Sequence, residues 1–287
     1  MKKPLLITIR QMTAADIDFA TALTHAAGWA SESLDVFRAF LENDARGCFI
    51  AEAGSEKAGV CVATKYVKNG FIGELIISPS LRVLGIGPLL FQRALDHLLA
   101  GQMENIYLDG DLNAISFYES TGFRKVCRSL RFRGRIKGKK HVHVRRLRAD
   151  DVEPLCAMDR ELFGDDRAFF LRRRAETFPE LCLVAEKGNH LCGWIMARPG
   201  DGLLAVGPWA ALHGQEDATA LLEQLANENG TSTFRIGVLE KNLTAAWLLR
   251  SLPGLQETIH SWFMVRGESE RLGDHPALYA IGSGAKG

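Results

Sequence analysis

The sequence has no run of about 18 apolar residues, the length a helix needs to cross a bilayer. It has no excess charge of one sign: 35 Lys and Arg face 34 Asp and Glu, a formal net charge of +1. That balance argues against a protein built to coat nucleic acid or to dock on an anionic membrane. Its six cysteines (Cys48, Cys61, Cys127, Cys156, Cys182 and Cys192) are scattered, with no CxxC pair and no metal-ligand spacing. Most lie inside apolar runs such as CFIAEA and CLVAE, where cysteine acts as a small buried hydrophobe. The expectation is a reduced, cytoplasmic protein with neither a disulfide framework nor a metal. The opening MKKPLLITIRQM has too short an apolar run before Arg10 for a secretory leader, and reads as a strand.

What is present is self-similarity. ITIRQMTAADI (Ile7 to Ile17) is matched by VHVRRLRADDV (Val142 to Val152). CFIAEA, a loop and GVCVA are matched by CLVAEK, a loop and GWIMA. NAISFYESTGF is answered by NLTAAWLLRSLPGL, and each is followed by a strand ending in Arg-Gly. The offset stays near 130 to 135 residues, so 287 residues divide into two related halves. The boundary is placed after residue 138, in the polar stretch GRIKGKKH. Between Arg124 and Arg148 stand twelve Lys or Arg and no acid, read as the solvated face of a strand followed by a soluble linker. Each half alternates short strands rich in β-branched residues with amphipathic helices such as GPLLFQRALDHLLAG. That order implies an α/β fold, a mixed sheet with helices on its faces.

The most informative segment is GELIISPSLRVLGIGPLLFQRAL, Gly73 to Leu95. A strand from Glu74 to Ser78 stops at Pro79, a loop carries Arg82, Gly85 and Gly87, and a helix is expected from Pro88. Glycines at alternate positions admit a ligand close to the backbone, and the free N–H groups of a first helical turn attract phosphate. The loop lacks the lysine of a phosphate-binding GxxxxGK[ST] motif, and Leu90 occupies the place of the third glycine of GxGxxG.

Arg82-Val83-Leu84-Gly85-Ile86-Gly87 instead resembles the [QR]xxGx[GA] pyrophosphate loop of the GNAT (GCN5-related) N-acetyltransferases. AISFYESTGF, Ala114 to Phe123, resembles that family's second motif, and the two stand at the family's separation. Leu84 departs from the arginine common before the first glycine, and Asp111 from a cofactor-touching asparagine, with Asn113 nearby. The resemblance implies two tandem GNAT-like acyl-CoA N-acyltransferase domains, a catalytic one over 1–138 and a degenerate one over 139–287. It implies acetyl-CoA as co-substrate, with no metal. Leu75, Ile76 and Ile77 would hold the pantetheine arm through their backbone, and Arg82, Val83, Leu84, Gly85, Ile86, Gly87 and Pro88 the pyrophosphate. Asn113 and Phe117 would complete the cofactor site.

By the same resemblance Tyr118 would protonate the departing thiolate. Glu74 is the candidate base, with an ordinary strand-end carboxylate as the plain alternative. Asp109 and Asp111 would attract the amine or cap the next helix, and Trp29 would shape the acceptor pocket or belong to the core. His25 and His97 are read as structural.

In the second half the equivalent of the glycine loop reads HGQEDATALL, with two carboxylates at the helix start, and Leu249 replaces Tyr118. That half is expected to support the first, close its acceptor pocket or mediate self-association as a homodimer. The implied activity is transfer of an acetyl group to a primary amine of a small molecule or peptide. A non-catalytic acyl-CoA sensor or interaction module is the alternative.

Overall fold

The computed structural model describes residues 6–29, 32–230 and 232–287. The first half runs β1 (Ile7–Gln11), α1 (Ile17–Ala26), α2 (Leu34–Asp44), β2 (Cys48–Ala53), β3 (Glu56–Lys65) and β4 (Asn69–Ile77). It continues through α3 (Ile86–Ala100), β5 (Asn105–Gly110), α4 (Ile115–Ser120) and β6 (Arg124–Gly134). The second half repeats the order with β7 (Val144–Arg146), α5 (Val152–Phe163), α6 (Ala168–Thr177), β8 (Cys182–Lys187), β9 (His190–Gly200) and β10 (Leu203–Ala211). Then come α7 (Gln215–Asn229), β11 (Phe234–Leu239), α8 (Leu243–Ser251), β12 (Leu255–Glu257), β13 (Ser261–Arg266) and β14 (Leu278–Ala280).

The repeat extends to single hydrogen bonds. Arg10 reaches Asp16 at 2.7 Å and Glu52 at 2.8 Å, while Arg145 reaches Asp151 at 2.6 Å and Glu186 at 2.5 Å. In both halves an arginine on the first strand therefore ties the start of the first helix to the second strand.

Strand alternation sorts side chains to the two faces of the sheet. Cys48 and Ile50 of β2 join α1 and α2 on one side, whereas Phe49 and Ala51 join α3 on the other. Helix α3 buries Ile86, Leu90, Phe91, Ala94, Leu95 and Leu98, one stripe at helical spacing. At about 1.5–3 kcal/mol for each large side chain, that stripe anchors the helix firmly beneath the loop it follows.

The strands join one sheet, in the order β1-β2-β3-β4-β5-β13-β6-β11-β10-β9-β8-β7, with β12 paired to β6 and β14 to β10 off this path. The last strands are exchanged. β13, from the second half, lies between β5 and β6, and β6, from the first, pairs with β11 of the second. Neither half completes its sheet with its own residues. A further tie is Asp165, whose carboxylate accepts from the backbone N–H groups of Val67, Lys68 and Asn69 at 2.9–3.1 Å. The Asn69 side chain adds a fourth bond at 2.7 Å. The second half thus holds the β3–β4 turn in place.

Two local expectations are corrected. Helix α3 begins at Ile86 and not at Pro88, because Gly85 turns the chain in a left-handed conformation (φ 70°) and caps it. The arginines of β6 are not all solvated: the Arg131 side chain is largely buried and pairs with Asp109, because the strand has a neighbour on each edge.

Candidate active site

Strands β4 and β5 run parallel from Asn69↔Asn105 to Ile72↔Leu108 and then part. At the parting point Glu74 has φ 53°, unusual for a residue with a Cβ, beside a register shift against β3. Such a conformation costs about 1–3 kcal/mol and persists where its surroundings enforce it. Beyond it, Ile76 and Ile77 pair with Val60 and Gly59 of β3, which leaves the β5-facing edge of Leu75–Ile77 without a strand partner.

The opening leads into a cavity of about 250 Å³ whose walls come from both halves. Glu74, Leu75, Asp109 and Tyr118 line it from the first half, and Arg198 and Arg235 from the second. The segment 281–285 forms one wall. Ala285 packs on Gly73 so closely that a Cβ at Gly73 would fall 2.3 Å from that of Ala285. Tyr66 fixes the segment by donating to the Lys286 carbonyl at 2.5 Å.

Glu74 is 4% exposed and its Oε2 has no hydrogen-bond partner. Burial, reinforced by the charge of Glu32, holds its carboxyl well above the usual carboxylate range. Tyr118, on α4, packs against the rings of Phe91 and Phe117. Burial raises its phenol beyond the ordinary tyrosine value, so it keeps its proton at neutral pH. Asp109 pairs with Arg131 and accepts from Ser129 at 3.0 Å. Asp111 caps the turn after β5, accepting from the Asn113 backbone N–H at 2.9 Å and side-chain amide at 3.0 Å. Trp29 reaches the cavity wall, whereas Phe117 packs beside Phe91 outside the lining.

The glycine loop sits at the outer end of this opening. A Cβ on Gly85 would meet nothing within 4 Å, and one on Gly87 only Ile77 at 3.8 Å. The fold does not need these glycines for its own packing; they leave room above the first turn of α3 for a ligand. Arg82 donates from Nε to the Ile77 carbonyl at 3.3 Å and binds the loop to the end of β4. Ile86 is buried in the core and offers the loop its backbone alone, whereas Leu84 and Pro88 are exposed. The side chain of Val83 lies outside the described residues.

The corresponding opening of the second half is filled. β10 and β11 part after Val206↔Ile236, and β14 pairs there with β10 while the Ile281 N–H donates to the Gly237 carbonyl at 3.0 Å. The N-terminus of α7 carries its own anion, Asp217, paired with Lys187 at 2.8 Å. Among the described residues, one of the two openings is left for a cofactor.

The sequence profile of the acetyltransferase (GNAT) family matches residues 14–123, and that of an acetyltransferase (GNAT) domain matches residues 155–280. The chain belongs to the GNAT superfamily. It carries two GNAT domains in tandem.

A protein of Pyrococcus horikoshii, assigned provisionally as an acetyltransferase, superposes with a TM-score of 0.82 at 22% identity over 100% of this chain and 99% of that one. A tandem GNAT protein from the clavulanic acid pathway gives 0.63 at 12% identity over 92% and 100%. At these identities the likeness is one of fold. Among curated relatives, the human N-alpha-acetyltransferase 30 is 28% identical over 108 residues, 35% of this chain and 30% of that protein. The Dictyostelium discoideum protein of the same name is 25% identical over 107 residues, 35% of this chain and 58% of that one.

The structure brings Glu74, Tyr118, Asp109, Asp111, Asn113, Leu75 and Trp29 to one cavity. Residue-by-residue reading of the sequence did not find Glu32, Arg131, Arg198, Arg235 or Lys286. For Arg198 and Arg235 the signal is a charge inside an apolar run, GWIMAR and FRIGVL, where a buried ion demands a partner; the others stand in polar or glycine-rich stretches that carry no such mark.

Proposed function

We propose that this GNAT protein transfers an acetyl group from acetyl-CoA to a primary amine of a small molecule or peptide, by direct attack on the thioester. The observation that carries this reading is one stretch of chain that runs from the cavity at Glu74 and Leu75, which Tyr118 also lines, along the unpaired edge of β4 to the open glycine loop. Free N–H groups at the start of α3 suit the pyrophosphate, and the Leu75–Ile77 edge suits the pantetheine amide groups. Glu74 takes a proton from the incoming ammonium. A carboxylate with a raised pKa is better matched to that task near neutral pH than an ordinary one. The amine nitrogen then bonds to the acyl carbon, the carbon–sulfur bond breaks, Tyr118 gives its proton to the thiolate, and the second proton leaves the nitrogen through solvent and restores the phenol. The first repeat, ending near residue 138, supplies these groups, and the second closes the acceptor side. The free, buried cysteines suit a reducing, cytoplasmic setting.

The test is thiol release from acetyl-CoA against a panel of amines. Tyr118→Phe is expected to lower turnover about tenfold or more with unchanged CoA affinity. Tight acetyl-CoA binding with no thiol release on any amine would transfer the reading to an acyl-CoA sensor.

A further inference from the structure

The acceptor side of the cavity carries arginines that an amine-binding site does not need. Glu32, Glu74 and Asp111 stand there with Arg198 on β9 and Arg235 on β11, and Lys286 lies close behind. All three cations act on the Glu74 carboxylate. Asp109 and Arg131 cancel each other. Lys286 lies over the rings of Phe40 and Phe170, and burial and the nearby Arg198 push its amine down to about 7. Arg198 is 2% exposed, and its Nη2 bonds both oxygens of Glu32 at 3.0 and 3.2 Å. Its Nε and Nη1 have no hydrogen-bond partner. An ammonium alone would be served by Glu74; a buried guanidinium with unused donors calls for an anion.

We infer that the acceptor is a small amino-acid-like zwitterion, its amine directed to Glu74 and its carboxylate to the Arg198 side of the cavity. The inference rests on the acyl-transfer reading and narrows it. The segment 282–285 walls the cavity, and Glu74 and Arg198 line it near enough for their charges to interact, a span that suits a small molecule carrying both groups. The recognition group comes from the second half, which gives that half a role in choosing the acceptor.

The full chain is assayed by thiol release from acetyl-CoA with matched sets: a free amino acid, its primary amide, and the amine lacking the carboxyl group. Free acids are expected to exceed their amides about tenfold or more in kcat/KM, since a site built for a polar group rejects the analogue without it. Because Arg198→Met alone would also break the Arg198–Glu32 ion pair, the variants are Arg198→Met combined with Glu32→Gln, and Arg235→Met. In each the acid-to-amide ratio is expected to fall toward one through a rise in KM for the acid. Thermal protection by the same compounds in the presence of CoA gives a readout free of catalysis. Amides equal to acids in every set, or variants that slow both alike, overturn the inference. No thiol release with protection by acids alone removes the acyl-transfer reading and keeps the anionic ligand. Neither release nor protection removes both.

Discussion

Glu74→Gln is expected to lower kcat/KM for acyl transfer by about a hundredfold or more, with acetyl-CoA affinity unchanged. The amide keeps the shape of the side chain and loses its basicity. The pH profile gives the same test in the wild type. The active form is the carboxylate, so activity falls as pH drops through the Glu74 pKa. Burial has raised that pKa, so the acid limb stands above the ordinary carboxylate range, and Glu74→Gln should remove it. Stability runs the other way. A raised native pKa gives a contribution present at low pH and lost as pH rises through the native value, when the buried group must ionise. The melting temperature of Glu74→Gln should therefore gain on the wild type as pH rises above the ordinary carboxylate range. A variant with full activity, or one that melts lower at high pH, would show that Glu74 is an ordinary ionised carboxylate.

Asp165→Ala carries the second large effect, on folding. Its carboxylate is the acceptor for three consecutive N–H groups at the β3–β4 turn and for Asn69 Nδ2. At about 1–3 kcal/mol for each buried donor left without a partner, a loss of about 3 kcal/mol or more is expected. For a chain of this size that is a fall in Tm of about 6–12 °C by differential scanning fluorimetry. A change below about 2 °C would mean that the halves are held together elsewhere.

The parts legible in the sequence were those with local causes. Gly85 and Gly87 follow a strand and precede a helix, and the space above them is open as their spacing implied. Tyr118 and Glu74 flank one cavity because short elements carry them from adjacent strands. The duplication was visible because Arg10–Asp16 and Arg145–Asp151 repeat a local geometry. What could not be read depends on distant pairing. An alternating strand such as RSLRFRGR has the same pattern whichever strand lies beside it, so the exchange of β6 and β13 left no mark. Once β6 lies between β13 and β11, Arg131 faces inward to Asp109 rather than outward to water. The filling of the second opening is equally nonlocal. The carboxylates at the start of α7 hinted that this end rejects phosphate, but only the folded chain places β14 between β10 and β11.

The central claim is that two related halves build one acyl-CoA site, at the glycine loop of the first. Isothermal titration of the full chain with acetyl-CoA, repeated on Gly87→Glu, tests it most directly. The account predicts one molecule bound per chain, and none in Gly87→Glu, where a carboxylate replaces open space beside the N-terminus of α3. Two molecules per chain, or one that persists in Gly87→Glu, would contradict it.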